Sequence, residues 1–130
     1  MSGHNLQEKI AMDKQAIISV LRRVLDPEHP INIVDMGLVR PEDITITESE
    51  VQVEFTPTSP VCPMGAVIGM LIRKALEDAS PGVRVVVRLK PGSHSQEAAY
   101  NGMINDDQQY QSTIEKLAAG GHLDRLILKE

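Results

Sequence analysis

The sequence predicts a small α/β domain of the α+β kind. One layer is a mixed three-stranded sheet, the other is helical, and a helical extension follows the last strand. Three observations predict it. Ile44, Ile46 and then Val51, Val53, Phe55 alternate with polar residues on either side of the turn Glu48-Ser49-Glu50, which marks a β-hairpin. Val67, Ile68, Leu71, Ile72, Ala75 and Leu76 recur at helical spacing. Val83, Val85, Val87 and Leu89 alternate with Arg84, Val86, Arg88 and Lys90, a third strand with a basic outer face. A strand–helix–strand crossing of this size favours parallel pairing. The hairpin is antiparallel, so the sheet is mixed, with its helices on one face.

The other elements follow in chain order. Residues 1–9 are polar and are expected to be a flexible lead into a single domain spanning 10–130, with the extension covering 95–130. Ile10, Ile17, Ile18, Leu21, Val24 and Leu25 fall on one helical face. Asp26-Pro27-Glu28-His29-Pro30 stops that helix, because the residue before a proline is pushed out of the α region. Ile31 to Val39 is a short extended or turn-like segment. Ser80-Pro81-Gly82 ends the helix after the hairpin. Gly65 and Gly69, four apart, leave one side of that helix without bulk, which suits close approach to the sheet or a partner. Beyond Pro91-Gly92-Ser93-His94-Ser95, the polar stretch Gln96–Gln111 has Tyr100, Met103, Ile104 and Tyr110 as anchors. Ile114 and Leu117 continue a last helix, Gly120-Gly121 breaks it, and Leu123, Leu126, Ile127 and Leu128 form an apolar tail.

Composition narrows the function. Net charge is −5, aromatic residues are 2 %, and no Lys/Arg run is present. Nucleic-acid surfaces need clustered positive charge and often stacking aromatics, so none is expected. Nothing approaches the ~18 consecutive apolar residues of a membrane span. The polar first residues lack the apolar stretch of a signal peptide, and one cysteine forbids an internal disulfide, which fits a cytoplasmic protein. There is no phosphate-binding glycine loop, no dinucleotide fingerprint and no C-x-x-C pair.

That cysteine sits in Thr56-Pro57-Thr58-Ser59-Pro60-Val61-Cys62-Pro63-Met64-Gly65, the connection from the second strand to the helix. Pro63 suits a first helical position, since its missing N–H has no intrahelical partner there. This places Cys62 at or next to the N-cap, where free N–H groups and the helix dipole favour a thiolate. The alternative is a small buried hydrophobe that happens to be cysteine. A Cys–His hydrolase built from Cys62, His94 and Asp26 or Glu28 is a third reading, without a family signature around the cysteine.

Three motifs in order carry a resemblance. Asp-Pro-Glu-His-Pro after an amphipathic helix, Thr-Pro-Thr-x-Pro-x-Cys before the next, and Pro-Gly-Ser-His-Ser-Gln-Glu-Ala after a Val-rich strand resemble the cytosolic iron–sulfur cluster assembly targeting factors. Bacterial relatives are the SufT-type assembly proteins and the PaaD-type proteins of phenylacetate degradation. The resemblance runs from about Ile17 to Ile127 and implies a non-enzymatic α/β domain that helps deliver clusters to apoproteins. It puts the reactive cysteine on Cys62, the acidic loop on Asp26, Pro27 and Glu28, and supporting residues on Thr56, Pro57, Thr58, His94 and Glu97.

Two functional classes follow. One is an assembly adaptor using Cys62 for transient cluster or persulfide handling or for client contact, with other assembly factors and client apoproteins as partners. The other is an auxiliary oxygenase subunit of the PaaD type. By resemblance that branch adds a cysteine-rich segment, and no cysteine follows Cys62, which favours the adaptor. One thiol per chain argues against a stably bound cluster, which usually takes four protein ligands. Cys62, His94 and Glu28, with His29 and Asp26 nearby in sequence motifs, form at most a transient site for zinc or iron. The apolar tail after a glycine hinge either folds back on its own domain or exchanges between protomers in a homodimer, as longer members of the family imply.

Overall fold

The computed structural model describes residues 13–60 and 64–128. Ile10, the expected flexible lead 1–9, and Cys62 with its neighbours Val61 and Pro63 lie outside the described residues. The first helix among the described residues, α1 (Lys14–Leu21), starts where Asp13 Oδ1 accepts the Ala16 N–H at 2.8 Å, and it buries Ile17, Ile18, Val20 and Leu21. It is shorter than its apolar spacing predicts. Val24 and Leu25 leave the helix because their backbone pairs elsewhere, in antiparallel bridges to Ile127 and Asn32.

A 3-10 turn (Pro41–Asp43) leads into β1 (Ile44–Ile46), which pairs antiparallel with β2 (Glu50–Phe55), Ile44 opposite Val53 and Ile46 opposite Val51. Helix α2 (Gly65–Ala79) crosses to β3 (Arg84–Leu89), which lies parallel to β2 with Glu50 opposite Arg84 and Phe55 opposite Leu89. The order β1-β2-β3 is the expected mixed sheet. Ile44, Val51, Val53, Phe55, Val85, Val87 and Leu89 are buried on one face, where they share a core with Ile17, Leu21, Ile68, Leu71 and Ile72.

The outer residues of β3 are basic as expected, with Arg84 and Arg88 exposed, but acids from neighbouring segments offset them. Arg84 Nε lies 3.5 Å from Glu50, Lys90 Nζ lies 2.9 Å from Asp43 Oδ1, and Arg88 stands opposite Glu54 in the ladder. A strand read alone shows its own charges and not those of its neighbour, so only the register reveals the compensation. An open depression of about 670 Å³ on this side is therefore lined by charges that already have opposites.

The polar stretch Gln96–Gln111 is split between two helices. α3 (Glu97–Asn105) ends at Asp106, which caps α4 (Asp107–Ala119) by accepting the N–H groups of Gln108 and Gln109, each at 3.0 Å. The bond from Gln109 chiefly holds the Asp106 carboxyl below its ordinary pKa. α3 closes the free edge of β3. Asn101 Oδ1 accepts the Leu89 N–H at 2.8 Å, and Asn105 Nδ2 donates to Val87 O at 2.8 Å. Two side chains thus do what a fourth strand would, and the edge is protected from pairing with another chain. Gly121, at φ +74°, breaks the helix as its composition predicts, and the short α5 (His122–Leu126) follows. Its end returns to α1's loop: Leu25 N–H donates to Leu126 O and Leu128 N–H to Arg23 O, both at 2.7 Å.

Gly65 and Gly69 do provide close approach, within the chain. A Cβ at Gly65 would sit 3.0 Å from the Tyr100 ring, and one at Gly69 2.3 Å from Ile104 Cδ1. Both contacts are to α3, so the bare side of α2 is where the extension docks. Arg73, also on α2, holds α4. Its guanidinium donates to Glu77 Oε2 (3.1 Å), Ile104 O (2.9 Å) and Asp107 Oδ1 (2.7 Å), and it lies 3.8 Å over the Tyr110 ring. Tyr110 closes the circuit by donating its hydroxyl to Glu77 Oε1 at 2.8 Å.

Candidate functional site

β2 and β3 are parallel, so their carboxyl ends lie side by side, and two of the three sequence motifs leave from there. Thr56-Pro57-Thr58 follows Phe55, and Pro91–Ser95 follows Leu89 and Lys90. Loops at the carboxyl ends of parallel strands are where open α/β sheets gather their sites. The register is carried one step past the strands by Lys90 N–H, which donates to Phe55 O at 2.8 Å. The third motif is linked to the same end by a relay of backbone bonds. Ile33 N–H donates to Val24 O (3.0 Å), Leu38 N–H to Ile33 O (2.9 Å) and Thr56 N–H to Leu38 O (2.9 Å).

The His94 turn is tied to both described flanks of the cysteine. Ser95 N–H donates to Pro60 O at 2.8 Å. On the other flank, a Cβ built on Gly65 would be 3.8 Å from His94 Cδ2. Cys62 is two residues from Pro60 and two from Met64 along the chain. The helix begins later than Pro63 suggests: its first residue is Gly65 and its N-cap is Met64, whose side chain makes no capping bond. Cys62 therefore precedes the cap in sequence instead of forming it. A proline tolerates the first helical turn without compelling the helix to start there.

His94 is buried, with its ring 4.7 Å from that of Tyr100 at a 38° tilt. Its Nδ1 accepts the Gln96 N–H at 2.9 Å. An imidazole that accepts at Nδ1 carries its proton at Nε2 in the neutral form, so Nε2 is a donor. Glu97 shapes the backbone here, since its Oε1 accepts the Gly92 N–H at 2.7 Å and closes the turn that carries His94. The sequence marks Tyr100 only as an apolar anchor; Gly65, small enough to admit its ring, is the signal of its position.

Asp26 is the unusual member of the acidic motif. It is 2 % exposed, whereas Glu28 and His29 are exposed. Its Oδ1 accepts the N–H groups of Glu28 (2.7 Å) and His29 (3.2 Å), an Asx turn that shapes the hairpin. Its Oδ2 is buried and has no hydrogen-bond partner among the described residues. Thr56 and Thr58 are exposed and Pro57 is buried between them. Among the described residues no three His, Asp or Glu side chains gather into a metal site, and the suggested set Cys62, His94 and Glu28 includes a residue outside them. No helix among the described residues is long and apolar enough to cross a membrane.

Fold and site together define a small α+β domain in which the His94 turn is tied to the described ends of the connection between β2 and α2. The sequence profile of the family described as "Iron-sulfur cluster assembly protein" matches residues 14–87. The chain is 36 % identical over 118 residues to the MIP18 family protein galla-2 of Drosophila melanogaster, covering 88 % of this chain and 73 % of that one. It is 35 % identical over 106 residues to cytosolic iron-sulfur assembly component 2B of Dictyostelium discoideum, covering 79 % and 65 %. The mouse protein of that name is 32 % identical over 81 % of this chain and 66 % of its own. Among solved structures, a domain of unknown function, DUF59, from Bacillus anthracis superposes with a TM-score of 0.55 at 27 % identity, covering 82 % of this chain and 91 % of the other. The chain belongs to the iron–sulfur cluster assembly protein family, and to its MIP18 branch by similarity over most of its length.

Proposed function

We propose that this chain is a non-enzymatic adaptor of cytosolic iron–sulfur cluster assembly, with Cys62 as its functional thiol. The cluster, or iron or persulfide sulfur, is cargo held transiently, and the partners are other assembly components and client apoproteins. The observation that carries this is the pairing of the His94 turn with Pro60 and Gly65, on either side of the cysteine, in a chain of this family. The names of the relatives favour assembly over an oxygenase subunit. The chemistry of His94 speaks against a hydrolase. A general base must take the thiol proton, but Nδ1 is committed to the Gln96 N–H and Nε2 holds the ring's own proton.

Cys62→Ser tests the reading. Thiol to hydroxyl changes little volume, so stability is expected to move by less than about 1 kcal/mol. Activity of a cytosolic iron–sulfur enzyme in cells carrying only the variant is expected to fall to that of cells lacking the protein. Normal client activity would remove the functional thiol, and a large loss of melting temperature would make Cys62 a packing residue.

Self-association belongs to the same reading. Within the chain, Leu126–Leu128 fold back on Val24 and Leu25. The homodimer we infer uses the same pairing supplied by a second copy, after a swing at Gly121. A dimer in light scattering that is lost when the chain ends at Ala119 supports exchange. A monomer at every concentration removes it.

A further inference from the structure

The acidic hairpin and the far end of the extension meet in a short ladder outside the main sheet. Arg23–Asp26 is its middle segment. On one side lies Ile31–Ile33: Asp26 N–H donates to Ile31 O at 3.1 Å, Ile33 N–H donates to Val24 O at 3.0 Å, and Leu25 bridges Asn32. On the other side lies Leu126–Leu128: Leu25 N–H donates to Leu126 O and Leu128 N–H to Arg23 O, both at 2.7 Å, and Val24 bridges Ile127. Both pairings are antiparallel. Residues more than a hundred positions apart in sequence thus share one ladder with the acidic motif.

We propose that Leu126–Leu128 is a strap that sets the position of Asp26, so that the extension controls the geometry of the acidic hairpin. The middle segment has neighbours on both sides only while the strap is seated. Asp26 is the last residue of that segment, and its backbone N–H is one of the ladder's bonds. Its Oδ1 in turn organises Glu28 and His29, so a shift of the segment passes directly into the motif. The carboxylate so placed keeps one buried oxygen without a partner among the described residues. Such an acceptor is costly to hold and stays only where the surroundings fix it. The strap is also the part suited to release. It makes two ladder bonds, Leu128 is 43 % exposed, and Gly121 with its positive φ stands at its root. Leu126 and Ile127 are only partly buried against the core, and such peripheral segments open at lower free energy than the core itself. The functional weight of the strap rests on the assembly reading; its structural action does not.

Leu128→Pro isolates the effect. Proline has no N–H, so the bond to Arg23 O is deleted. Ile127, at φ −122° and ψ 104°, already has the extended backbone that a residue before proline prefers. Leu128→Ala keeps the N–H and removes the side chain. Amide hydrogen exchange by NMR on the full chain is expected to rise at least tenfold at Leu25, Asp26, Glu28 and His29 in Leu128→Pro. Amides of β2 and α2 keep their protection, and Leu128→Ala exchanges like the parent. Unchanged exchange in the hairpin, or an equal rise throughout the core, overturns the strap. Either result is independent of Cys62→Ser, so failure of the strap and failure of the functional thiol are separate outcomes.

Discussion

Arg73→Ala is expected to cost about 3 kcal/mol, or roughly 10 °C in melting temperature for a domain of this size. The side chain of Arg73 is 10 % exposed, and its loss leaves Glu77 Oε2, Ile104 O and Asp107 Oδ1 without their donor. The figure stays at the lower end for a broken buried pair because water reaches the acids: Glu77 is 35 % and Asp107 84 % exposed at the side chain. The stacking over Tyr110 goes as well. Arg73→Lys keeps the charge but cannot reach Glu77, Ile104 O and Asp107 as one planar fork, and should recover only a minor part. Chemical denaturation of the three proteins measures this. A loss below about 1 kcal/mol in Arg73→Ala, the range of exposed ion pairs, would show that α3 and α4 are held by apolar packing alone.

The same cluster has a pH signature. Burial, then the hydrogen bond to Glu77, raise the Tyr110 pKa well above its ordinary 10.0. A folded pKa above the unfolded one adds stability that is complete below pH 10 and declines as pH rises further. Tyr110 should therefore ionise only as the chain unfolds. In a Tyr100→Phe background, phenolate absorbance and loss of helical circular dichroism are expected to coincide above pH 10. Ionisation of a still helical protein would contradict the buried placement.

The residues that announce the fold are those whose periodicity has one reading. Alternation at Ile44–Ile46, Val51–Phe55 and Val83–Leu89, with a helix between the last two, leaves few arrangements besides a mixed sheet. Val24 and Leu25 mislead because an apolar pair at helical spacing is equally able to sit in an extended segment, and what decides is a partner over a hundred residues away. Arg73 gives no signal for the same reason. A charged residue in an amphipathic helix reads as solvated until residues 31 to 34 positions later fold over it. In the candidate site, the motifs at Asp26, Thr56 and His94 are legible as loop residues of unusual type. The Thr56 and His94 motifs lie side by side because β2 and β3 pair in parallel, and the Asp26 loop is connected to that end through the backbone relay of Val24, Ile33 and Leu38. Nothing in Asp-Pro-Glu-His-Pro says that its first carboxylate is buried and the second exposed.

Gly69→Ala tests the joint between α2 and α3, and the balance of two opposed terms decides its sign. In a helix interior alanine is favoured over glycine by about 1 kcal/mol, so an open site would be stabilised. Here the new methyl would lie 2.3 Å from Ile104 Cδ1, 2.9 Å from Ile104 Cγ1 and 3.1 Å from Phe55 Cε1. Carbon atoms pack at about 3.5–4.0 Å, so all three contacts are overlaps. Ile104 and Phe55 are both 0 % exposed, and neither side chain has solvent to move into. Overpacking of this kind costs about 1–3 kcal/mol or more, and because α3 must shift as a unit the upper end applies. The Ile104 carbonyl would move off Arg73 with it. We expect a net loss of about 2 kcal/mol by denaturation, with the propensity gain already subtracted. Ile104→Val removes the Cδ1 atom responsible for the worst overlap and by itself costs about 1 kcal/mol. The double variant should then be more stable than the sum of the single losses by at least about 1 kcal/mol, the coupling expected of residues in direct contact. Additive losses would mean that the backbone of α2, rather than Ile104, absorbs the methyl, and the bare side of the helix would not be what seats the extension.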